Sequence, residues 1–326
     1  MIACYLIQTH NNPDQIYRLV RQIKTSSENA LVLISHDFTN THLDIAPLED
    51  LSNIHLLERH KKAKRGDFSL IQPYLEAVDW LFERQYDFDW LIYLSEQDYP
   101  CQPTSEIEKF LEETKYDGFI QYWNAIAPGN PWGRSGFWRY YRQYYPLSSL
   151  VSKVVERVLR SRFIQANLLP LQPIHLSGFE NLFLIKNINN DLMVGFLPKL
   201  LPFNENFICY GGSQWHTLSK SCVQHIHKVI HSNQDLIDHY KHTLIPDESL
   251  IQTILVNSNL FKLCNDHKRY VDFSQKRSDG RPRILTLQDY EQLINSKIHF
   301  ARKFDLDRDT QILDLIDDKI WQNCRN

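Results

Sequence analysis

Short apolar runs alternate with amphipathic segments over the first 124 residues, and this alternation restricts the possible fold more than any other feature. ACYLIQTH, ALVLISHD and WLIYLSEQDYP have the length and composition of buried strands. NNPDQIYRLVRQI and SLIQPYLEAVDWLFERQ, which lie between them, predict helices. Strands that alternate with helices predict an α/β fold with a mainly parallel, doubly wound sheet.

Local signals place several further elements. Asn12 is expected to cap the first helix, with Pro13 in its first turn. NIHLLE and DGFIQYW predict further strands, and Ser105 with Glu108 predicts a capping box ahead of a helix. In the second half, VSKVVERVLRSRF predicts a helix, FICYGGSQWHTLSKSCVQHIHKVI a strand, a turn and a helix, and LIPDESLIQTILVNS a loop that enters a helix.

Charge and cysteine usage exclude several classes of protein. A formal net charge of -3 gives no overall attraction to nucleic acid. The start of the chain lacks a signal peptide, and no later run is long enough to span a membrane, so we expect a cytoplasmic protein, with peripheral membrane contact left open. The six cysteines lack paired spacing and are expected to be reduced and mostly buried.

Aromatic and basic residues are concentrated between positions 123 and 145. The segment WNAIAPGNPWGRSGFWRYYRQYY is typical of sugar-binding surfaces, because aromatic rings stack on the C–H faces of pyranoses. Packing of these aromatics in the core explains the segment equally well. Trp132 and Arg139 are the acceptor-binding candidates here.

The segment IPDESLIQTIL offers a candidate catalytic base. Pro246 is expected to place Asp247 and Glu248 at a helix N-terminus, where the helix dipole favours an ionised carboxylate. A carboxylate held in this way suits a general base. Acidic residues at helix starts are also ordinary caps, so this motif alone does not identify a catalytic site.

Four segments occur in a characteristic order: LSEQDYP, GGSQWHTLS, PDESLIQTI and HFARKFD. Together they resemble the core-2/I-branching β-1,6-N-acetylglucosaminyltransferases and the related peptide O-xylosyltransferases of glycosyltransferase family 14. The resemblance implies a GT-A-like nucleotide-sugar-binding fold and inverting transfer from a UDP-sugar, UDP-GlcNAc first and UDP-xylose second. It implies that Glu248 is the catalytic base and that Lys303 faces the donor diphosphate together with either Arg281 or Arg283.

The same resemblance implies further contacts to the substrates. Near the donor it places His10, Asp37 and Asp98, the first two at the nucleoside end. At the border of the sugar-transfer site it places Ser213, Gln214 and Trp215. The expected partners are a nucleotide-sugar donor and a glycan or glycolipid acceptor, with no nucleic acid.

We expect one glycosyltransferase domain over residues 1–326. Residues 1–124 would bind the nucleotide sugar, 125–205 would form a variable acceptor-side segment, and 206–326 would carry the base and the diphosphate cations. The animal relatives are anchored in the secretory pathway, whereas this chain begins at its first strand. That difference supports the expectation of a cytoplasmic enzyme.

No divalent metal or other cofactor is expected, because Lys303 and one arginine can neutralise the diphosphate. The Asp-X-Asp sequence at 87–89 precedes its strand, whereas Glu96 and Asp98 follow the strand and are the stronger metal candidates. His227 and His231 lack the glutamate of an HExxH motif and are expected on a solvated helix face. The alternatives are a non-catalytic nucleotide-sugar-binding protein and a metal-dependent transferase of another family.

Overall fold

The structure is a computed structural model that describes residues 1–147, 183–188, 191–275 and 280–325. The helix expected in VSKVVERVLRSRF lies outside these residues. Strands and helices are numbered below in chain order.

A seven-stranded sheet forms the centre of the molecule. Its strands are β1 (Ala3–Thr9), β2 (Leu31–Asp37), β3 (Ile54–Arg59), β4 (Trp90–Ser95), β6 (Gly118–Asn124), β10 (Tyr210–Ser219) and β11 (Leu263–Cys264). Their spatial order is β11-β6-β10-β4-β1-β2-β3. β1 is parallel to β2 and β4, β2 to β3, and β11 to β6, while β10 runs antiparallel to β4 and β6. The predicted mainly parallel sheet of a GT-A-like α/β fold is confirmed.

Helices cover both faces of this sheet. One face carries α1 (Pro13–Ser26), α3 (Thr104–Glu113), α8 (Tyr290–Ile294) and α9 (Gln311–Arg325). The other carries α2 (Gln72–Glu83), α4 (Ser135–Tyr140), α5 (Lys220–Ser232), α6 (Gln234–Lys241) and α7 (Leu250–Ser258). Strand β1 directs Tyr5 and Ile7 into the first core and Cys4 and Leu6 into the second. Side chains that alternate in this way on a fully buried strand are expected for a doubly wound sheet.

Two smaller sheets flank the central one. β13 (Phe300–Arg302) lies between β12 (Arg269–Val271) and β5 (Asp98–Pro100), with Arg302 opposite Asp98. The buried Arg269 donates hydrogen bonds to the carbonyls of Tyr93 (3.0 Å) and His216 (2.9 Å), which fixes this sheet against β4 and β10. The other sheet is antiparallel and consists of β7 (Gln143–Pro146), β9 (Asp191–Phe196) and β8 (Phe183–Ile188).

The expected helix caps have different outcomes. Asn12 accepts a hydrogen bond from the Gln15 backbone N–H (3.3 Å), so the first cap is confirmed. The capping box of Ser105 and Glu108 is wrong, because α3 already begins at Thr104, after Pro103. Glu108 instead accepts a hydrogen bond from the fully buried hydroxyl of Tyr5 (3.0 Å), a group that requires a partner once it is removed from water.

The six cysteines are all free, and Cys4, Cys101, Cys209 and Cys222 are buried. Across the described parts of the chain, no helix combines the length and the apolar character needed to cross a membrane.

Candidate active site

Polar side chains converge where β1, β2 and β4 end. Because parallel strands bring their carboxyl ends to one edge, His10, Asp37 and Glu96 become neighbours there. His10 Nδ1 lies 2.7 Å from Oε1 of the buried Glu96. This hydrogen bond raises the pKa of His10, burial opposes it, and the charges of Glu96 and Asp37 reinforce it.

Asp37 is itself held firmly at the end of β2. Its Oδ1 accepts hydrogen bonds from the backbone N–H (2.9 Å) and the hydroxyl (2.6 Å) of Thr39. Burial tends to raise the pKa of Asp37, but these bonds and the charge of Arg59 lower it on balance. The edge of the sheet therefore presents a fixed carboxylate beside His10, whose side chain is 61% exposed.

Lys303 reaches the same edge from the small sheet. It follows β13 directly, and its Nζ donates a hydrogen bond to Oε1 of Gln97 (3.0 Å). Burial, reinforced by the nearby charges of Arg302 and Arg281, lowers the pKa of Lys303 to about 8. Lys303 and Arg281 are therefore close enough to act on one anionic ligand.

Arg283 and Asp98 have structural partners. The Arg283 Nε lies 2.6 Å from Asp272, and its guanidinium also pairs with Asp289. Asp98 is fully buried, and its Oδ2 accepts hydrogen bonds from the backbone N–H (2.8 Å) and hydroxyl (2.5 Å) of Ser95. The geometry therefore commits Arg283 to ion pairs within the protein, and it makes Asp98 a support for the end of β4.

Strand β10 carries a bulge in the middle of the sheet. Gly212 pairs with Tyr122 and His216 pairs with Ile120, so the register shifts across Ser213, Gln214 and Trp215. A bulge redirects side chains and is frequent beside active sites. Ser213, Gln214 and Trp215, which the sequence predicts at the site, therefore all lie outside the regular strand pairing.

Trp215 connects the bulge to the small sheet. Its ring lies 5.0 Å from the ring of Tyr93 and 4.0 Å from the guanidinium carbon of Arg302, the residue before Lys303. Gln214 Nε2 donates a hydrogen bond to the Tyr93 hydroxyl (3.1 Å), which in turn donates to Gln8 on β1. Trp215 thus packs beneath Arg302.

Glu248 lies in a short 3₁₀ turn, Pro246–Glu248, immediately before α7. Ile245, the residue before this turn, has a φ of 55°, which is unfavourable for a β-branched residue. Two contacts hold it there: its N–H donates to Gly66 O (2.9 Å), and its carbonyl accepts from the Tyr140 hydroxyl (3.0 Å). Residues from three separate segments therefore fix the position of the carboxylate.

Arg139 and Asp247 are the charged neighbours of Glu248. Glu248 Oε2 lies 3.0 Å from Arg139 Nη1, and the Glu248 side chain is 35% exposed. Burial raises the pKa of Glu248, and the charge of Arg139 and its hydrogen bond oppose this shift. Asp247 is more deeply buried, and burial followed by the charge of Glu248 raises its pKa also. Because Glu248 pairs with the Arg139 guanidinium and Asp247 is buried more deeply, we infer that a proton shared by the pair favours Asp247.

Trp132 packs over the start of β10. A Cβ added to Gly211 would lie 2.0 Å from the Trp132 ring, so only glycine permits this contact. The ring also stacks with Arg139, whose guanidinium carbon is 4.5 Å from the centroid. Trp132 and Arg139 thus form one unit with Glu248, and Trp132 is partly exposed.

Several groups at the site are missing from the sequence prediction. Asp247 was treated as a helix cap, and Arg302, Tyr93 and Gln8 were not singled out. The one sequence signal for Arg302 is its position next to Lys303 in FARKFD. Tyr93 gives no signal, because a tyrosine inside an apolar strand is usually a core residue. The metal alternative is not supported by the Asp-X-Asp sequence at 87–89, since Asp89 accepts a hydrogen bond from the Ile2 N–H (2.6 Å).

The sequence matches a known protein family and is similar to two named relatives. The model of the Core-2/I-Branching enzyme family matches residues 3–135 and 180–294, a range that includes Glu248 and ends before Lys303. Beta-glucuronosyltransferase GlcAT14A of Arabidopsis thaliana is 22% identical over 82% of this chain. Xylosyltransferase 2 of Rattus norvegicus is 23% identical over 77% of it. The chain spans 51% and 26% of these two relatives.

Among solved structures, apo mouse xyloside xylosyltransferase 1 is similar with a TM-score of 0.39 and 10% identity, over 92% of this chain and 97% of that one. The family match extends over well more than half of the sequence. The chain therefore belongs to the Core-2/I-Branching enzyme family.

Proposed function

We propose that the protein is an inverting glycosyltransferase that moves a sugar from a UDP-sugar to a hydroxyl of a glycan or glycolipid acceptor. The observation that carries this proposal is the setting of Glu248: a partly exposed carboxylate, paired with Arg139 and adjacent to the buried Asp247. Family membership supplies the donor class, with GlcNAc and xylose as the first candidates. The name of the Arabidopsis relative adds glucuronic acid as a third.

Glu248 would act as the general base. As the acceptor oxygen attacks the anomeric carbon, its proton passes to Glu248, and the bond from that carbon to the UDP oxygen breaks on the opposite face. One displacement of this kind inverts the configuration at the anomeric carbon. The raised pKa of Glu248 supports this role, because a base works best when its pKa approaches the working pH.

Lys303 and Arg281 would stabilise the leaving group. UDP gains negative charge as the bond breaks, and fixed cations in a partly desolvated cleft offset that charge. His10 and Asp37 are suitably located to contact the nucleoside end of the donor, at the carboxyl ends of β1 and β2. With two cations at the diphosphate, we propose that the reaction does not require a divalent metal.

The acceptor would approach from the side of Arg139 and Trp132. A pocket of about 360 Å³ lies next to the Glu248 turn, and its lining includes Leu244 and Gly66, the neighbour and the partner of Ile245. Tyr144 and Met193 of the antiparallel sheet also line it. Asp67, Lys241 and His242 line it as well, so the pocket combines apolar walls with polar groups that could contact sugar hydroxyls.

A donor screen tests this function. UDP release from UDP-GlcNAc, UDP-xylose and UDP-glucuronic acid would be measured, before and after exhaustive EDTA treatment. We expect turnover with one donor and an unchanged rate after EDTA. Donor binding without turnover, with or without acceptor glycans, would favour the non-catalytic alternative. Loss of activity in EDTA with recovery in Mn²⁺ would instead make Glu96 and Asp98 metal ligands.

A further inference from the structure

A second cluster of chemically competent side chains lies between α2 and α5, and it shares no residue with the active site. Asp79 on α2 faces His227 and His231, which are one helical turn apart on α5. Asp79 Oδ1 lies 2.9 Å from His231 Nε2 and 3.3 Å from His227 Nε2. The three ligand atoms all lie within 4.8 Å of one another.

These separations suit the ligands of a tetrahedral zinc ion. Zinc binds histidine nitrogen and carboxylate oxygen at about 2.0–2.2 Å, so the ligand atoms of a tetrahedral site lie roughly 3.3–3.5 Å apart. The Asp79–His227 pair, at 3.3 Å, already has this separation. The Asp79–His231 pair, at 2.9 Å, requires only a small outward movement. The side chains of His231 and Asp79 are 55% and 35% exposed, so an ion can enter directly from solvent.

The cluster is also prepared for metal binding. The His227 ring packs against Phe82 with a centroid distance of 4.9 Å, which restricts its orientation. Burial and the neighbouring His231 lower the pKa of His227 and so favour the neutral imidazole that metals require. Glu83, one turn after Asp79 on α2, adds negative charge that acts on His227.

We propose that Asp79, His227 and His231 form a structural divalent-metal site, best suited to Zn²⁺, that ties α2 to α5. Both helices pack on the same face of the central sheet. An ion bound there adds a link between two segments that are otherwise joined by side-chain packing. Since the motif lacks the glutamate of HExxH, the site stabilises the fold and has no role in the transfer reaction.

The test is thermal unfolding of tag-free, metal-stripped protein titrated with ZnCl₂. A ligand that binds only the folded state raises Tm in a saturable manner. We expect a rise of about 2–4 °C or more in the original chain. This rise should disappear in Asp79→Asn and in His231→Ala. The matched control, His225→Ala, removes a histidine from the same helix and should keep the full response.

Cobalt provides an independent measurement that does not depend on stability. Co²⁺ in place of Zn²⁺ should give the visible absorption of a tetrahedral site in the original chain and in His225→Ala, and not in His231→Ala. Absence of both the Tm rise and the cobalt spectrum would overturn the proposal. A zinc-dependent Tm rise that persists in Asp79→Asn and His231→Ala would overturn it as well, because the ion would then bind elsewhere.

Discussion

Arg139 Nη1 lies 3.0 Å from Glu248 Oε2, and this contact joins two segments that are 109 residues apart in the chain. It links the aromatic-basic segment, which was expected to bind the acceptor, directly to the candidate base. The arginine therefore has two effects: it lowers the pKa of Glu248, and it supports the Trp132 ring on which an acceptor sugar would stack.

Removing the charge of Arg139 should reduce the fraction of Glu248 that is ionised at low pH. In Arg139→Gln the pKa of Glu248 rises, because burial is no longer opposed by the guanidinium. The acidic limb of the kcat/KM profile should therefore move to higher pH, with a larger deficit in acid than at neutral pH. Arg134→Gln, at an exposed position of the same segment, is the control. A uniform loss at every pH would assign Arg139 to acceptor binding alone.

The alkaline limb should report Lys303. Its pKa is lowered to about 8, so the cation that faces the diphosphate is lost as the pH rises through that value. Lys303→Arg keeps a positive charge at all accessible pH values, because a guanidinium does not deprotonate. We expect the profile of this variant to extend further into alkali, even if its maximal rate is lower. An alkaline limb that stays in place would indicate another titrating group.

The two candidate arginines should behave differently. Lys303→Ala and Arg281→Ala are expected to weaken UDP binding by about 10- to 100-fold, the value of one hydrogen bond to a charged group, and to leave uridine binding unchanged. Arg283→Ala should mainly lower Tm, since it breaks the ion pairs with Asp272 and Asp289. Calorimetric titration with both ligands distinguishes these outcomes. Equal losses for UDP and uridine in Arg281→Ala would remove that residue from the diphosphate site.

The edge of the sheet where β1, β2 and β4 end could be predicted as a binding edge from the sequence, because strand topology determines which strand ends meet. The family resemblance named His10 and Asp37, and topology explains why they are neighbours, because parallel strands bring their carboxyl ends together. The pairing of Arg139 with Glu248 and the packing of Trp215 beneath Arg302 are long-range contacts with no fixed spacing. The burial that raises the pKa of Glu248 could not be predicted from its motif either, because it depends on residues distant in sequence.

Backbone proximity at the bulge of β10 gives a prediction about stability. A Cβ added to Gly212 would lie 1.8 Å from the carbonyl oxygen of Gln121, and this backbone atom cannot move away easily. Gly212→Ala should lower the free energy of unfolding by about 3 kcal/mol or more. In Gly118→Ala the nearest atom is the flexible Leu218 Cδ2 at 2.8 Å, so a smaller loss is expected. Denaturant unfolding compares the two, and equal losses would show that the bulge is adaptable.

The pair Asp247 and Glu248 permits the most direct test of the account, by comparing Glu248→Gln with Asp247→Asn in a transfer assay. If Glu248 is the base and Asp247 carries the shared proton, Glu248→Gln should reduce kcat by about 10²- to 10⁴-fold and leave UDP affinity intact. Asp247→Asn, which resembles the protonated acid in shape and charge, should retain most of the activity. Near-normal turnover in Glu248→Gln, or an equal loss in both variants with a folded protein, would contradict the assignment of Glu248 as the catalytic base.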